Sequence, residues 1–213
     1  KENILQQPKV ITVSAPTLRV GKNEIEVEKR GTGIVYFSSI TSYYNQYANL
    51  SHPSPELNIS REYYKLEMAP KREGGFNYNK TSAKNLVSGD VVLVKIKVKS
   101  KTSGANYLMV EDMLPSGFEV IKEDELYEIK GEALYNGSYY GHYPWRWSYS
   151  QREFRDERVS FFVTYGEKEM EFTYLMRAQL PGTVNVMPAE VQLMYYPEIR
   201  SVSEINKMSI KLK

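Results

Sequence analysis

The chain has 213 residues, 41% hydrophobic and 25% charged, with a formal net charge of +2. That is ordinary globular composition, and the length suffices for one large β domain or two modest ones. Interspersed charges of both signs give no basic face for nucleic acid or an anionic membrane. The lack of cysteine excludes thiol catalysis, cysteine-ligated zinc and a disulfide framework, and no run approaches the roughly 20 apolar residues of a membrane span.

In chain order, Lys1 to Pro8 is polar and has no apolar signal-peptide core, so any export address is expected upstream of Lys1. Asn23 to Glu28 alternates Ile25 and Val27 with acids, and Gly33 to Tyr44 is long and rich in β-branched and aromatic residues. Both predict strands. The polar, proline-rich Tyr47 to Glu56 stretch reads as a domain boundary. The division is therefore residues 1–57, a β domain too thin to be whole, and residues 58–213, with strands enough for two packed sheets.

Leu57 to Met68 is the next predicted strand. In Asp90 to Ser100, Val92, Val94, Ile96 and Val98 fall on one face and Lys95, Lys97 and Lys99 on the other. Val91 and Leu93 break that pattern, so both faces are expected to be covered there. Asn106 to Asp112, Arg158 to Tyr165, Met170 to Gln179, Gly182 to Met187, Glu190 to Tyr195 and Lys207 to Leu212 also read as strands. Lys122 to Ala133, with Leu126 and Ile129 at helical spacing and Gly131 as a stop, predicts one or two turns of helix. The charged run Arg152 to Arg158 reads as a solvated loop, with Arg155 or Asp156 as an alternative tie to the next strand. The fold class is all-β: an antiparallel β-sandwich with little or no helix.

Catalytic chemistry finds little support. His52 and His142 sit in loops and make no zinc spacing. Gly137 to Gly141 lacks the nucleophile-elbow pattern, and Gly31 to Gly33 lacks the third glycine and helix of a phosphate cradle. Glu111-Asp112 and Asp124-Glu125 could in principle serve a glycosidase. Adjacent strand residues face opposite ways, which argues against Glu111 and Asp112 acting as a pair, and both carboxylate pairs read as solvated edges. The chain is expected to be no enzyme and to need no cofactor or metal.

Tyrosine is heavily used, at 18 residues, and it favours both strands and binding surfaces. Tyr135 to Tyr149 concentrates it. Trp145, Trp147 and Tyr149 share one strand face and are expected in the core. Tyr139, Tyr140 and Tyr143 fall in the preceding loop and are candidate partner-contact residues.

Several segments follow a familiar order. Val110-Glu111-Asp112-Met113-Leu114-Pro115-Ser116-Gly117-Phe118-Glu119 resembles the D-x-L-P-x-G-F-E turn of bacterial alpha-2-macroglobulins. Val87-Ser88-Gly89-Asp90-Val91-Val92 is similar to the family's G-D-x-V strand entry, and Arg155-Asp156-Glu157-Arg158-Val159 to its R-D-D-R-V, with Glu157 for the second Asp. Phe172-Thr173-Tyr174-Leu175, Arg177-Ala178, Pro181-Gly182-Thr183, Pro188-Ala189 and Met194-Tyr195-Tyr196-Pro197-Glu198 continue the order. Upstream, Gly33 to Tyr36 and Arg61-Glu62-Tyr63 also resemble family strands.

The resemblance implies that residues 58–213 are the last macroglobulin-like domain, immunoglobulin-like in architecture. Residues 1–57 would then be the trailing half of a CUB-like domain. It implies a periplasmic or cell-surface protease trap as the parent protein. The partners are neighbouring domains of the parent chain and, through the parent, proteases. In such relatives a last-domain loop covers a thioester, and Tyr139, Tyr140 and Tyr143 are the residues assigned that contact here. Rival readings are a carbohydrate-binding module, from the aromatic loop, and an adhesin domain of the same fold class.

Overall fold

The computed structural model describes residues 10–19, 21–41, 54–71, 75–101, 105–132 and 149–213. The chain divides into two compact units, Lys1–Tyr43 and Tyr44–Lys213.

In the first unit the described residues hold one short 3-10 turn, Ala15–Thr17, with Pro16 inside it. The strands predicted at Asn23 to Glu28 and from Gly33 onward are not formed among them. The alternation is present, but a strand exists only when a neighbour accepts its N–H and C=O groups. None does here, and Tyr36 and Ile40 are each 91% exposed.

Among the described residues the second unit contains thirteen strands: β1 Leu57–Pro70, β2 Phe76–Ser82, β3 Leu86–Val87, β4 Val91–Ser100, β5 Leu108–Met113, β6 Phe118–Ile121, β7 Gln151–Phe154, β8 Arg158–Val163, β9 Glu169–Ala178, β10 Gly182–Val186, β11 Glu190–Leu193, β12 Tyr196–Val202 and β13 Asn206–Lys211. One sheet runs β2-β1-β4-β9-β6, a second β12-β11-β5-β8-β7, and a small third β10-β13-β3. Every pairing is antiparallel except β13 with β3. This is the all-β sandwich expected from the alternation.

The core forms where inward faces meet. Val92, Val94, Ile96 and Val98 of β4 are fully buried, as the period of two requires. They join Phe172, Tyr174 and Met176 of β9, Leu108 and Val110 of β5, and Val159 and Phe161 of β8. Phe161 lies with its ring centroid 5.2 Å from Phe172, 5.2 Å from Tyr149 and 6.5 Å from Tyr174. The small third sheet adds Leu86, Val186, Met208 and Ile210 to the same core.

The break in the β4 pattern has a cause. Leu93 faces away from the main core and packs with Leu66, Leu175 and Ile129 in a second cluster on the outer face. Ile129 is carried there by a parallel bridge to Tyr78. The Tyr78 N–H donates to Glu128 O at 2.8 Å, and the Lys130 N–H to Tyr78 O at 3.0 Å. Those bonds explain why the predicted helix over Lys122 to Ala133 shrinks to a 3-10 turn, Asp124–Leu126. Backbone groups committed to β2 cannot close i to i−4 bonds, and Leu126 ends exposed while Ile129 is buried.

Beyond that cluster the outer face carries ion pairs. Glu132 receives Lys80 and Lys95, and Lys95 also reaches Glu171 at 2.9 Å. Glu62 pairs with Lys97 at 2.9 Å. Burial alone would raise the Glu132 carboxyl, but hydrogen bonds from Lys80 and Lys95 together hold it below the ordinary carboxylate range. The Lys97 hydrogen bond lowers Glu62 in the same direction.

Both groups therefore favour the folded state above their unfolded pKa, and that contribution is lost as pH falls through the folded value. The melting temperature is expected to hold between pH 7 and 5 and to drop below about 4.5, the ordinary carboxylate value. A Glu132→Gln variant, scanned over the same range, should lose part of that slope. An unchanged slope would remove Glu132 from the account. Glu62 is half-exposed, so solvent screens most of its share.

Among the described residues no helix is long and apolar enough to cross a membrane.

Candidate functional site

The three tyrosines predicted as a contact loop, Tyr139, Tyr140 and Tyr143, lie outside the described residues, as do His52, His142, Trp145 and Trp147. The residues on either side of that segment are placed. Tyr149 packs its ring against Phe161 and Phe172, in the core as expected.

Arg152 donates from Nη1 to Asp124 Oδ2 at 2.5 Å and from Nη2 to Asp124 Oδ1 at 2.9 Å. This bidentate pair joins β7 to the 3-10 turn, with Asp124 fully buried. The run Arg152 to Arg158 is thus no plain solvated loop. It begins as strand, because Gln151–Phe154 pairs with β8, and its side-chain tie is Arg152. The Arg155 side chain makes an exposed local pair with Glu153, while its N–H donates to Arg158 O at 2.9 Å and so ties the loop to β8.

The carboxylate pairs are also resolved. Glu111 points outward, where Arg158 lies 3.3 Å away, and Asp112 points inward and is fully buried. As at Asp124, the solvated-edge reading fails for Asp112. Its Oδ1 accepts from Arg61 Nη1, and its Oδ2 accepts from the Tyr174 hydroxyl at 3.0 Å. Arg61 Nη2 donates to Met187 O at 2.6 Å.

Burial pushes the Asp112 carboxyl above its ordinary value, opposed by the Arg61 guanidinium and the Tyr174 hydroxyl. Burial likewise raises Tyr174 and Tyr63. Arg61 Nε and the Tyr63 hydroxyl are buried with no hydrogen-bond partner among the described residues. The Tyr63 ring nevertheless lies 5.2 Å from Arg61 Cζ, within cation–π range. Asp112 and Asp124 are each held by an arginine in the interior, which suits them to bracing strands and not to proton transfer at a substrate. Among the described residues no group of three potential metal ligands lies together.

The surface feature that sequence reasoning missed is an aromatic recess beside β5, β11 and β12. Its volume is about 310 Å³, and it is lined by Tyr107, Tyr195, Tyr196, Leu193, Ile199 and Glu56 among others. Tyr107 sits at φ 57, the one described non-glycine residue with positive φ, a conformation that bulky residues avoid.

Neighbours hold it there. The Tyr107 N–H donates to Thr164 O at 3.2 Å, and Tyr107 O accepts the Met194 N–H at 2.8 Å. Gly166 lets the 105–107 loop approach, because a Cβ there would stand 2.1 Å from Ala105 O. Met194 and Tyr195 form the tight turn of the β11–β12 hairpin, where the pairing register shifts at Gln192/Leu193. The ring of Tyr195 meets Tyr107 edge-on at 5.2 Å. Tyr107, Tyr195 and Tyr196 are 44%, 70% and 60% exposed. A signal for this site does exist in the sequence: a two-residue hairpin turn normally takes Asn or Gly, and here it takes Met and Tyr.

A sequence model of the bacterial alpha-2-macroglobulin MG10 domain matches residues 57–198, the span of the sandwich from β1 into β12. The chain belongs to the bacterial alpha-2-macroglobulin family. An alpha-2-macroglobulin of Thermotoga maritima is 36% identical over 107 residues, 50% of this chain and 6% of that protein. One from Pasteurella multocida is 25% identical over 206 residues, 94% of this chain and 9% of that protein.

Among solved structures, native Escherichia coli alpha-2-macroglobulin from domain MG7 to the C-terminus superposes with a TM-score of 0.57 at 28% identity. The match covers 79% of this chain and 25% of that one. The chain thus spans under a tenth of the length of these curated alpha-2-macroglobulins. The family motifs take physical form in it. Asp112 opens the D-x-L-P-x-G-F-E segment as the buried partner of Arg61. Gly117 closes the turn at φ 82 with its Cβ position 3.1 Å from Leu180 O.

Proposed function

We propose that this chain is part of an exported bacterial protease inhibitor of the alpha-2-macroglobulin type, and that its sandwich is a structural domain packing on its neighbours in the parent. The match of residues 57–198 to the MG10 domain carries this reading. Residues 58–213 would be the last macroglobulin-like domain and residues 1–57 the trailing half of a CUB-like domain. The parent works in the periplasm or at the cell surface, where it meets proteases. This chain, without cysteine, supplies no thioester of its own. Tyr139, Tyr140 and Tyr143 shield a thioester elsewhere in the parent.

The test is the rate of methylamine incorporation into the full-length parent, followed by intact mass. Replacing Tyr139, Tyr140 and Tyr143 together by alanine is expected to raise that rate roughly tenfold, the effect of about 1.4 kcal/mol of barrier. The sandwich should keep its melting temperature. An unchanged rate in a folded variant refutes the shielding role. Unfolding on substitution assigns the tyrosines to the core. A wild-type parent that takes up no methylamine is a thioester-free relative, and the domain then serves as an interdomain contact alone.

A further inference from the structure

We propose that the Tyr107–Tyr195–Tyr196 recess is a binding site for an arginine side chain presented by a protein partner. The case does not rest on the inhibitor reading.

The recess is large enough for a ligand group, at about 310 Å³ against roughly 300–1,000 Å³ for ligand pockets in general. Its floor is apolar, from Leu57, Leu193 and Ile199, and its rim is aromatic. Glu56 is the single charged residue in the lining, and among the described residues its carboxylate enters no ion pair. The recess therefore offers aromatic faces, an apolar floor and one carboxylate with no ion pair among the described residues.

That combination selects a cation with an apolar stem. A guanidinium stacks on tyrosine faces, its methylenes cover the leucine and isoleucine, and its charge meets Glu56. A neutral apolar group would leave the carboxylate unused, and an anion would be repelled.

The construction of the rim argues for use. Tyr107 holds a left-handed backbone conformation that bulky residues avoid, and glycine or asparagine would hold it more easily. The hydrogen bonds to Thr164 O and from the Met194 N–H lock that conformation, and they bring the Tyr107 ring against Tyr195. Two exposed aromatic residues, Tyr195 and Tyr196, then follow one another at a hairpin tip, where polar residues would be cheaper in water.

The experiment is a methyl- and aromatic-detected NMR titration of the full 213-residue chain with acetyl-Gly-Arg-Gly-amide, run beside the same peptide with leucine at the centre and beside cellotriose. The expected result is a saturable shift of the Tyr107, Tyr195 and Tyr196 rings and of the Leu193 and Ile199 methyls with the arginine peptide alone. Tyr195→Ala should weaken that binding by roughly two- to thirty-fold. Glu56→Gln should weaken it by roughly two- to five-fold, with the core methyls of Val94 and Leu93 unmoved in both variants. No shift at tens of millimolar arginine peptide overturns the proposal. So does equal binding of the leucine peptide, or a response to cellotriose without one to arginine.

Discussion

Replacing Asp112 by alanine is expected to destabilise the sandwich by about 3–5 kcal/mol, because it leaves the Arg61 guanidinium buried with its charge uncompensated. Asp112 and Arg61 meet with both side chains at 0% exposure, and the lost carboxylate also strands the Tyr174 hydroxyl. Arginine does not shed its proton to escape the cost. For a domain of this size the loss is a fall in melting temperature of roughly 6–20 °C. The double change Arg61→Met with Asp112→Leu removes both charges and should recover most of the loss. Calorimetric scans of the three proteins decide the matter. A single variant melting within a degree or two of wild type would mean that water reaches the pair.

The second large effect belongs to Phe161. Truncation to alanine removes the ring that touches Tyr149, Phe172 and Tyr174 at once, and should cost about 3–5 kcal/mol. The contribution is both transfer and cavity: a fully buried ring leaves a void between two sheets that cannot slide together without breaking ladder hydrogen bonds. Phe161→Leu keeps much of the volume and should cost under half as much. Chemical denaturation with urea, read at constant slope, separates the two variants. Equal losses would show that ring stacking outweighs volume at this site.

The period of two carried most of the fold. It located β4, β5, β8 and β9, and its interruption at Leu93 correctly marked a strand covered on both faces. It was silent on β2, whose sequence Phe-Asn-Tyr-Asn-Lys-Thr-Ser interleaves Phe, Tyr and Thr with Asn and Lys, which strands disfavour. That strand exists because β1 offers it a ladder. The converse holds before residue 42, where good alternation meets no strand partner among the described residues.

The buried pair was written in the sequence and went unread. Leu57, Ile59 and Arg61 share one parity, as do Leu108, Val110 and Asp112. Two opposite charges, each standing on an apolar face, were the sign that they meet. Arg152 and Asp124 had no such sign, since the pair joins a short strand to a single irregular turn. The tyrosine recess was hidden for another reason: it is assembled from the ends of several strands and the loops beside them, and such contacts have no period.

The parallel pairing of β13 with β3 reaches across the sandwich sequence. Ile210 stands opposite Leu86, and Met208 and Ile210 fill the same interior as the central strands. Until residues 206–211 have docked, Leu86 and its neighbours lack one wall. The hairpins β1–β2 and β11–β12 each form from residues close in sequence, whereas closing the interior needs β3 and β13 from opposite ends of the sandwich. Such long-range closure leaves valine-rich strands uncovered while the domain folds. The interval in which this interior stays open is thus set by how late β13 docks on β3 more than by the stability of the finished domain.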